Sequence, residues 1–410
     1  MRKAQQRRFT GPRAAPCSFS ASSVARSGEL CVRIEMKPNP RIAITVITEE
    51  GDKAEVIPCS IKPLGYEDIV SENTHYPMQM SAKEGNVKIN GEVLEKDRKI
   101  DFKIQFNEDV TIYVLELGGW LPLSFANYNS ILPDRNVISS IRQIKDNKLR
   151  DNTKATDWWL KFYKESDFTI NPLLYAFEGQ YQRFPNYTEF CKSFDEASDE
   201  LKEYFPKAKI IRYPNDEIYQ KVYELLIEVS EQNISEQEFL INAAPLVANR
   251  VSDKELNKTQ NAIDDLAEKY GILGESLLYY LIVSCLYDPK DGSGYLPARR
   301  ILKPKENYTK EKAYNAIADV NAITLFIQSL SLPNLMIPVC TCDKPLAAFW
   351  TAINPFERTV KNRKINIEFQ FTKYLFPRLS TKETENFATN LNKKKILTNC
   401  SKGRAKGARP

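Results

Sequence analysis

The sequence is poor in the residues that several enzyme classes need. Its 410 residues include a single histidine, His75, which lies in a β-rich segment without a nucleophile motif beside it. A Ser-His-Asp or Cys-His hydrolase would need that one side chain as its base. The 15 glycines form no GxxxxGK loop, which argues against an NTPase. Hydrolytic chemistry in this chain would therefore depend on carboxylates and a metal ion.

The chain also lacks a zinc or disulfide pattern and a long apolar run. Of the eight cysteines only Cys340 and Cys342 are close in sequence, and no second Cys or His pair is near enough to complete a zinc site. We interpret them as free thiols in a reducing cytosol. The most apolar segment, 277–286, is about half the length that crosses a bilayer. We predict a cytoplasmic protein with no membrane partner.

Basic residues are concentrated at the two ends, whereas the body is mildly acidic. Residues 1–35 are rich in Arg and Ser, and the last 18 residues hold seven basic and no acidic side chains. We predict a basic, disordered extension over 1–35, with an organelle transit peptide as the alternative, and a basic tail over 373–410. The composition changes at Met36, which is an alternative start. Either basic end could neutralise nucleic-acid phosphates.

The pattern of the sequence changes near residue 123. Short alternating runs of β-branched residues fill 36–122 and predict a small β-rich accessory domain. Strands and helices alternate over 123–372, which predicts an α/β domain with a parallel sheet covered on both faces. The middle of this region is almost entirely helical by periodicity, so we predict a helical insertion at about 187–295.

Four acidic residues are placed where such a sheet would gather them. Asp134 and Asp343 each follow a predicted strand, at the carboxyl ends where open α/β sheets bind ligands. Glu178 and Asp319 lie on helices that the sheet could bring to the same edge. Each acid also has a structural explanation, since the aspartates after strands could be helix N-caps and the other two could be solvated.

Carboxylates that gather at one place repel each other unless a cation neutralises them. Hard divalent ions with oxygen ligands, Mg²⁺ or Mn²⁺, are the natural partners of such a group and can bridge it to substrate phosphates. The sequence therefore predicts a metal centre for phosphodiester chemistry, on the condition that the fold brings the acids together.

The sequence resembles the PIN-domain family of metal-dependent nucleases at four motifs. These are Asp134-Arg135-Asn136, Glu178 after Ile170-Asn171-Pro172, Asp319 within Ala316-Ile317-Ala318-Asp319-Val320-Asn321-Ala322-Ile323, and Thr341-Cys342-Asp343-Lys344. The resemblance covers roughly 123–185 and 305–372, and it implies a three-layer PIN-like core. Glu165 or Glu189 would replace Glu178 if the helix lay elsewhere.

By this resemblance the protein is a Mg²⁺- or Mn²⁺-dependent endoribonuclease. Asp134, Glu178, Asp319 and Asp343 would bind metal and position the attacking water. The implied partners are RNA, in preference to structured DNA, and an inhibitory or regulatory protein. The alternative is a catalytically inactive PIN-like scaffold that binds RNA or a protein.

Two further groups of side chains would support the site. The first would orient the carboxylates and consists of Asn136, Asn321 and Thr341. The second would bind substrate phosphate and consists of Lys344, Arg299, Arg300, Lys303 and Lys305, with Tyr295 and Tyr308 interleaved to stack bases. A solvated loop is the alternative interpretation of this basic stretch.

Overall fold

The computed structural model describes most of the chain between residues 17 and 387. The described ranges are 17–22, 29–36, 42–47, 53–71, 76–83, 87–93, 99–106, 110–126, 130–145, 168–179, 183–230, 233–272, 276–330, 337–361 and 364–387. His75, Glu165 and the basic residues after 387 lie outside them. In these ranges the protein is mixed α/β, and none of their helices is long and apolar enough to span a bilayer.

The first nine strands form two antiparallel sheets. They are β1 (Cys17–Ser22), β2 (Glu29–Met36), β3 (Ile42–Ile47), β4 (Lys53–Val56), β5 (Ser60–Lys62), β6 (Tyr76–Lys83), β7 (Val87–Ile89), β8 (Glu92–Val93) and β9 (Lys99–Phe106). One sheet has the order β1-β2-β3-β4-β7-β8 and the other the order β5-β6-β9. A short helix, α1 (Tyr66–Val70), follows β5. Strands β3, β4, β7, β8 and β9 lie within alternating runs of the sequence, whereas β6 lies outside them.

The N-terminal extension contains regular structure that its composition does not reveal. Strands β1 and β2 lie almost wholly within 1–35, and β2 pairs along its length with β3, from Cys31↔Ile47 to Met36↔Ile42. The prediction of a disordered extension did not anticipate these strands. Val32 and Ile34 alternate with polar neighbours, which is a strand pattern, but the high Arg and Ser content of the segment outweighed it.

Six later strands form a mixed sheet. They are β10 (Tyr113–Glu116), β11 (Gly119–Pro122), β12 (Ser130–Pro133), β13 (Thr169–Ile170), β14 (Lys209–Ile210) and β15 (Val339–Thr341). Their order is β11-β10-β15-β12-β13-β14. The run β15-β12-β13-β14 is parallel, whereas β10 is antiparallel to both β11 and β15. The predicted parallel sheet is therefore present, with an antiparallel hairpin added at one edge.

The edge hairpin shows that the predicted domain boundary after residue 122 was wrong. Tyr113 pairs with Thr341 and Val114 with Cys340, so β10 is hydrogen-bonded into the α/β sheet. The hairpin also contacts the N-terminal part, where Leu64 and Trp120 exchange backbone hydrogen bonds of 2.8 and 3.1 Å. The alternating pattern of β10 and β11 cannot show that they pair with β15 and with the segment at Leu64, because both partners are remote in sequence.

Ten helices and a final hairpin complete the described secondary structure. The helices are α2 (Arg135–Lys145), α3 (Leu173–Glu178), α4 (Tyr187–Tyr204), α5 (Asp216–Ser230), α6 (Asn233–Ala243), α7 (Asp253–Lys269), α8 (Leu277–Leu286), α9 (Pro297–Leu302), α10 (Lys310–Leu330) and α11 (Lys344–Ile353). The hairpin consists of β16 (Pro355–Lys361) and β17 (Lys364–Phe369). Between residues 187 and 295 the described elements include helices α4 to α8 and the short strand β14.

Helices cover both faces of the mixed sheet. Successive residues of a strand point to opposite faces. Ile131 and Cys340 pack with apolar side chains of α2 and α4, whereas Leu132 and Val339 belong to the core that includes α10 and α11. All four side chains are at most 6% exposed. Burial of large apolar side chains stabilises by about 1.5–3 kcal/mol each, so the ends of β12 and β15 are fixed from both sides.

The folded body extends past the predicted start of the C-terminal tail. Leu375 and Phe376 are fully buried. The Phe376 ring lies 6.0 Å from that of Tyr287, and the Ser284 hydroxyl donates to the Leu375 carbonyl at 2.6 Å. A basic tail beginning at 373 was therefore wrong for 373–387, because the apolar residues among the basic ones anchor this segment.

Candidate functional site

Asp134 and Asp343 follow two adjacent parallel strands at the place where the strand order reverses. From β12 the chain continues outward through β13 to β14, and it later adds β15 on the other side of β12. The crevice outside the carboxyl ends of the strands at such a reversal is the usual ligand position in open α/β sheets. The Asp134 backbone N–H donates to the Cys340 carbonyl at 2.9 Å. This bond holds the two strand ends side by side.

Pro133 ends β12 without disturbing this pairing. The N–H groups of Leu132 and Asp134 both donate to carbonyls of the segment that contains β15, at 2.9 Å. Alternate residues of a strand direct their N–H groups to opposite sides, so the donor that proline lacks would face β13. On the side of β13 the Asn171 N–H donates to the Ile131 carbonyl at 3.0 Å, and after Asn171 the chain leaves the sheet.

Both aspartates cap helices, and Thr341 connects them. An Asp134 carboxylate oxygen accepts from the Val137 N–H at 2.8 Å, and one of Asp343 accepts from the Leu346 N–H at 2.9 Å. The Thr341 hydroxyl hydrogen-bonds to the Asp134 carboxylate and accepts from the Asp343 N–H at 2.8 Å. This is the orienting position predicted for Thr341. Each cap engages one oxygen at the positive end of a helix, which is compatible with a charged, ligand-binding carboxylate.

Glu178 is the last residue of α3 and is held from two sides. The Tyr314 hydroxyl on α10 donates to the Glu178 backbone carbonyl. The Arg135 guanidinium donates to the Gly179 carbonyl and lies 4.0 Å from the Glu178 carboxylate, whose side chain is 36% exposed. Gly179 has φ 68°, a left-handed conformation that favours glycine and turns the chain away after the carboxylate.

The four predicted carboxylates share one electrostatic neighbourhood. Burial, with smaller contributions from the charges of Glu178 and Asp343, raises the pKa of Asp134 to about 7 although its hydrogen bonds with Thr341 and Val137 lower it. Burial also raises the pKa of Asp319 well above its usual range, and the charges of Asp343, Glu178 and Asp134 add to this. Burial raises the pKa of Glu178 to about 7 and that of Asp343 above its usual value. Because such interactions weaken with distance, the fold has brought together acids that are far apart in sequence.

The chemistry of this group fits a hard divalent cation. Four desolvated carboxylates repel one another, and a cation relieves that cost. Among the residues that the structure describes, no three Asp, Glu, His or Cys side chains are close enough to hold one ion together. Mg²⁺ commonly binds through one or two carboxylates and keeps several waters. Metal binding here would thus depend on one or two of these acids, with waters completing the coordination shell.

Lys303 is a basic residue whose charge acts on two of the four carboxylates. It is exposed and ends α9 in a left-handed conformation, with φ 49° and ψ 54°. Its charge lowers the pKa of both Asp319 and Asp343, against the larger effect of burial. The structure thus places this predicted phosphate contact beside the carboxylates.

Arg300 and Lys344 surround the ring of Tyr295. The Arg300 guanidinium lies 4.3 Å from the ring centroid and the Lys344 ammonium 5.6 Å from it. Lys305 is exposed on the loop after α9. Tyr308 is different, because it is 6% exposed and its hydroxyl donates to the Leu302 carbonyl at 2.7 Å. The prediction that Tyr308 stacks bases was therefore wrong.

Arg299 does not belong to the predicted phosphate-binding group. Its guanidinium pairs with Asp288, whose side chain is 4% exposed, and donates to the carbonyls of Ala248 at 3.2 Å and Cys285 at 3.3 Å. The prediction was wrong because neighbouring residues of a helix face different sides. The sequence did contain a signal for this buried ion pair, because Asp288 directly follows the apolar stretch that ends at Tyr287.

Two predicted orienting side chains do not have the expected surroundings. Asn136 is exposed on the first turn of α2. Asn321 is 8% exposed but stands two residues after Asp319, so the helix turns it to another side. The orienting roles of Asn321 and Asn136 stay predictions, and no hydrogen bond from either side chain to the carboxylates supports them among the described residues.

Glu189, the alternative to Glu178, has a structural task. It caps α4 by accepting from the Asn186 N–H at 2.9 Å, and its carboxylate pairs with Arg183 at 2.5 and 2.8 Å. The Arg183 charge and these hydrogen bonds lower its pKa. Glu189 thus has the opposite pKa shift to the clustered acids and is not one of them.

Arg135 is the side chain of the site that sequence reasoning missed. It follows Asp134 directly, lies beside Glu178 and stands 5.7 Å from the ring centroid of Tyr175. The only signal for Arg135 in the sequence was its position on the first turn of a helix that begins where a strand ends. Arg135 supplies a positive charge next to one of the four carboxylates that we predicted.

The chain matches no family model, no curated protein and no solved structure. The assignment of function therefore depends on the geometry and chemistry of the site.

Proposed function

We propose that this protein is a metal-dependent endoribonuclease with a PIN-like core, which hydrolyses phosphodiester bonds at Asp134, Glu178, Asp319 and Asp343. The observation that supports this most is that the charges of the other acids raise the pKa of Asp134 and of Asp319, next to a reversal of strand order. Buried acids that raise one another's pKa values are typical of functional sites. The parallel strands with helices on both faces are compatible with the proposed core.

The role that we propose for each residue follows from the contacts that fix its position. Bound Mg²⁺ or Mn²⁺ would lower the pKa of water and neutralise charge that develops on the phosphodiester. Asp134 and Asp343 are fixed by helix caps and Thr341, so they serve as rigid ligands. Glu178, whose side chain is 36% exposed, orients the attacking water. Lys303 offers the phosphate a positive charge beside the acids.

A cleavage assay with an isosteric variant tests the proposal. The wild type should cleave RNA with Mn²⁺ and should not cleave it in EDTA. Asp134→Asn removes the charge but keeps a good N-cap, so the melting temperature should hold while cleavage falls by about 100-fold or more. Asp265→Asn, at an exposed position on α7, is the matched control and should cleave normally. Equal cleavage by the wild type and Asp134→Asn would overturn the assignment.

A catalytically inactive PIN-like scaffold is the second candidate. It is favoured by one observation, namely that no three acids of the described residues are close enough to hold a single ion. The same assay separates the two candidates. RNA binding by a wild type that does not cleave with Mn²⁺ would support the scaffold.

A further inference from the structure

Beside the carboxylates two cations lie over one aromatic ring, and a third cation ends the helix that carries one of them. The Arg300 guanidinium and the Lys344 ammonium approach the Tyr295 ring to 4.3 and 5.6 Å. Lys344 directly follows Asp343, and Lys303 ends the helix that carries Arg300. Burial raises the pKa of Tyr295 to about 12, and the charge of Asp343 contributes to this rise. The ring and its cations therefore border the proposed metal ligands.

The position of this ring is fixed by contacts that do not involve the cations. The Tyr66 hydroxyl donates to the Tyr295 carbonyl at 2.6 Å. The Tyr66 ring in turn stacks on that of Tyr374, with centroids 4.3 Å apart and planes 10° apart. Segments remote in sequence thus hold the Tyr295 backbone in place. A ring held this way can present the guanidinium above it in a constant orientation.

Lys303 takes up an unusual backbone conformation at the end of the same helix. Left-handed φ and ψ angles cost free energy for a residue with a Cβ atom, and its N–H closes the last turn on the Arg299 carbonyl at 2.8 Å. The side chain is exposed. The turn separates Lys303 from the rest of α9 and places its charge within the influence of two of the four acids.

We propose that Tyr295, Arg300, Lys344 and Lys303 form a platform for an unpaired nucleic-acid strand. The cations bind phosphates, and a base stacks on the guanidinium plane that the Tyr295 ring supports. The reacting phosphodiester lies at the neighbouring carboxylates, so the inference deepens the proposed function and rests on it. Binding to the platform needs no metal ion.

The planar group indicates a single strand as the substrate. Bases in a duplex are already stacked on both faces, whereas those of an unpaired segment are free to stack on an aromatic ring or a guanidinium. A duplex could use only the charges. Stacking of one base strengthens binding by about tenfold, and each phosphate contact steepens the salt dependence of binding. These two signatures can be measured separately.

The test is fluorescence anisotropy with a labelled single-stranded RNA in EDTA, where no cleavage occurs. Tyr295→Leu should weaken binding by about tenfold, whereas Tyr295→Phe, which keeps the ring, should bind as the wild type does. Arg300→Lys keeps the charge but loses the plane and should also bind more weakly. Lys303→Gln and Lys344→Gln should each reduce the salt slope by about 1.

Two controls guard against non-specific charge effects and misfolding. Lys192→Gln removes an exposed charge on α4 and should leave affinity and salt slope unchanged. Melting temperatures identify any variant that loses binding through unfolding, and Arg300→Lys, at an exposed position, remains informative if Tyr295→Leu unfolds. The same RNA hybridised to its complement should bind more weakly than the single strand.

The outcomes distinguish this inference from the proposed function. Wild-type affinity in Tyr295→Leu and Arg300→Lys, or duplex affinity equal to that of the single strand, would overturn the platform even if the wild type cleaves RNA with Mn²⁺. Loss of binding in these variants, in a protein that never cleaves, would retain the platform and overturn the nuclease assignment.

Discussion

At the scale of a residue, Arg299 and Arg300 show that the surroundings of a side chain decide whether it faces the core or the solvent. Both stand on α9, yet Arg299 pairs with the buried Asp288 while Arg300 is exposed over Tyr295. The sequence presents them as one basic patch. Which of two adjacent arginines faces the core depends on a buried acid that composition cannot locate.

We predict that substitution of these two arginines separates stability from binding. Arg299→Gln leaves Asp288 buried without its partner and should lower the free energy of unfolding by about 3 kcal/mol. Arg300→Gln should stay within about 0.5 kcal/mol of the wild type. Urea denaturation of the two variants measures both values. Equal destabilisation would contradict the different surroundings described for the two side chains.

Thr341 is the positioning residue whose removal should be most informative. Thr341→Val deletes the hydroxyl that connects Asp134 with Asp343 and should cost about 1 kcal/mol of stability. The Mn²⁺ concentration for half-maximal cleavage should rise, because the two carboxylates are no longer held together. Thr341→Ser keeps the hydroxyl and should restore the wild-type value. A merely structural role would lower stability in Thr341→Val without any change in this concentration.

At the scale of elements, strand ends were predictable and strand partners were not. Asp134 and Asp343 could be found because open α/β sheets place ligands after strands. Local periodicity also placed the beginning of the helical insertion at about 187, where α4 begins. The hairpin of β10 and β11 was assigned to the wrong unit, because its pairing with β15 joins residues more than 200 positions apart.

The hairpin turn gives a test of this assignment with two adjacent glycines. A Cβ atom on Gly119 would stand 2.1 Å from the Leu64 carbonyl oxygen, whereas one on Gly118 would meet nothing within 4 Å. Gly118→Ala should cost about 1 kcal/mol through its positive φ alone. Gly119→Ala should cost clearly more, since backbone must move. Thermal unfolding compares them, and equal losses would contradict the close contact between hairpin and N-terminal part.

At the scale of the whole molecule, composition alone misjudged both ends of the folded body. Strands β1 and β2 lie in a segment rich in Arg and Ser, and Leu375 and Phe376 are buried in a segment predicted as tail. Such anchoring depends on a few apolar residues meeting a distant core. The mixed α/β class, by contrast, followed from the alternation of helix and strand that the sequence shows.

At the scale of the whole molecule we also predict that distant parts of the chain converge on one metal centre. A crystal structure grown with Mn²⁺, with anomalous diffraction to locate the ions, tests it most directly. We predict Mn²⁺ bound to carboxylates of the group Asp134, Glu178, Asp319 and Asp343. Crystals with no Mn²⁺ at these carboxylates, from protein that cleaves RNA in the presence of Mn²⁺, would contradict it.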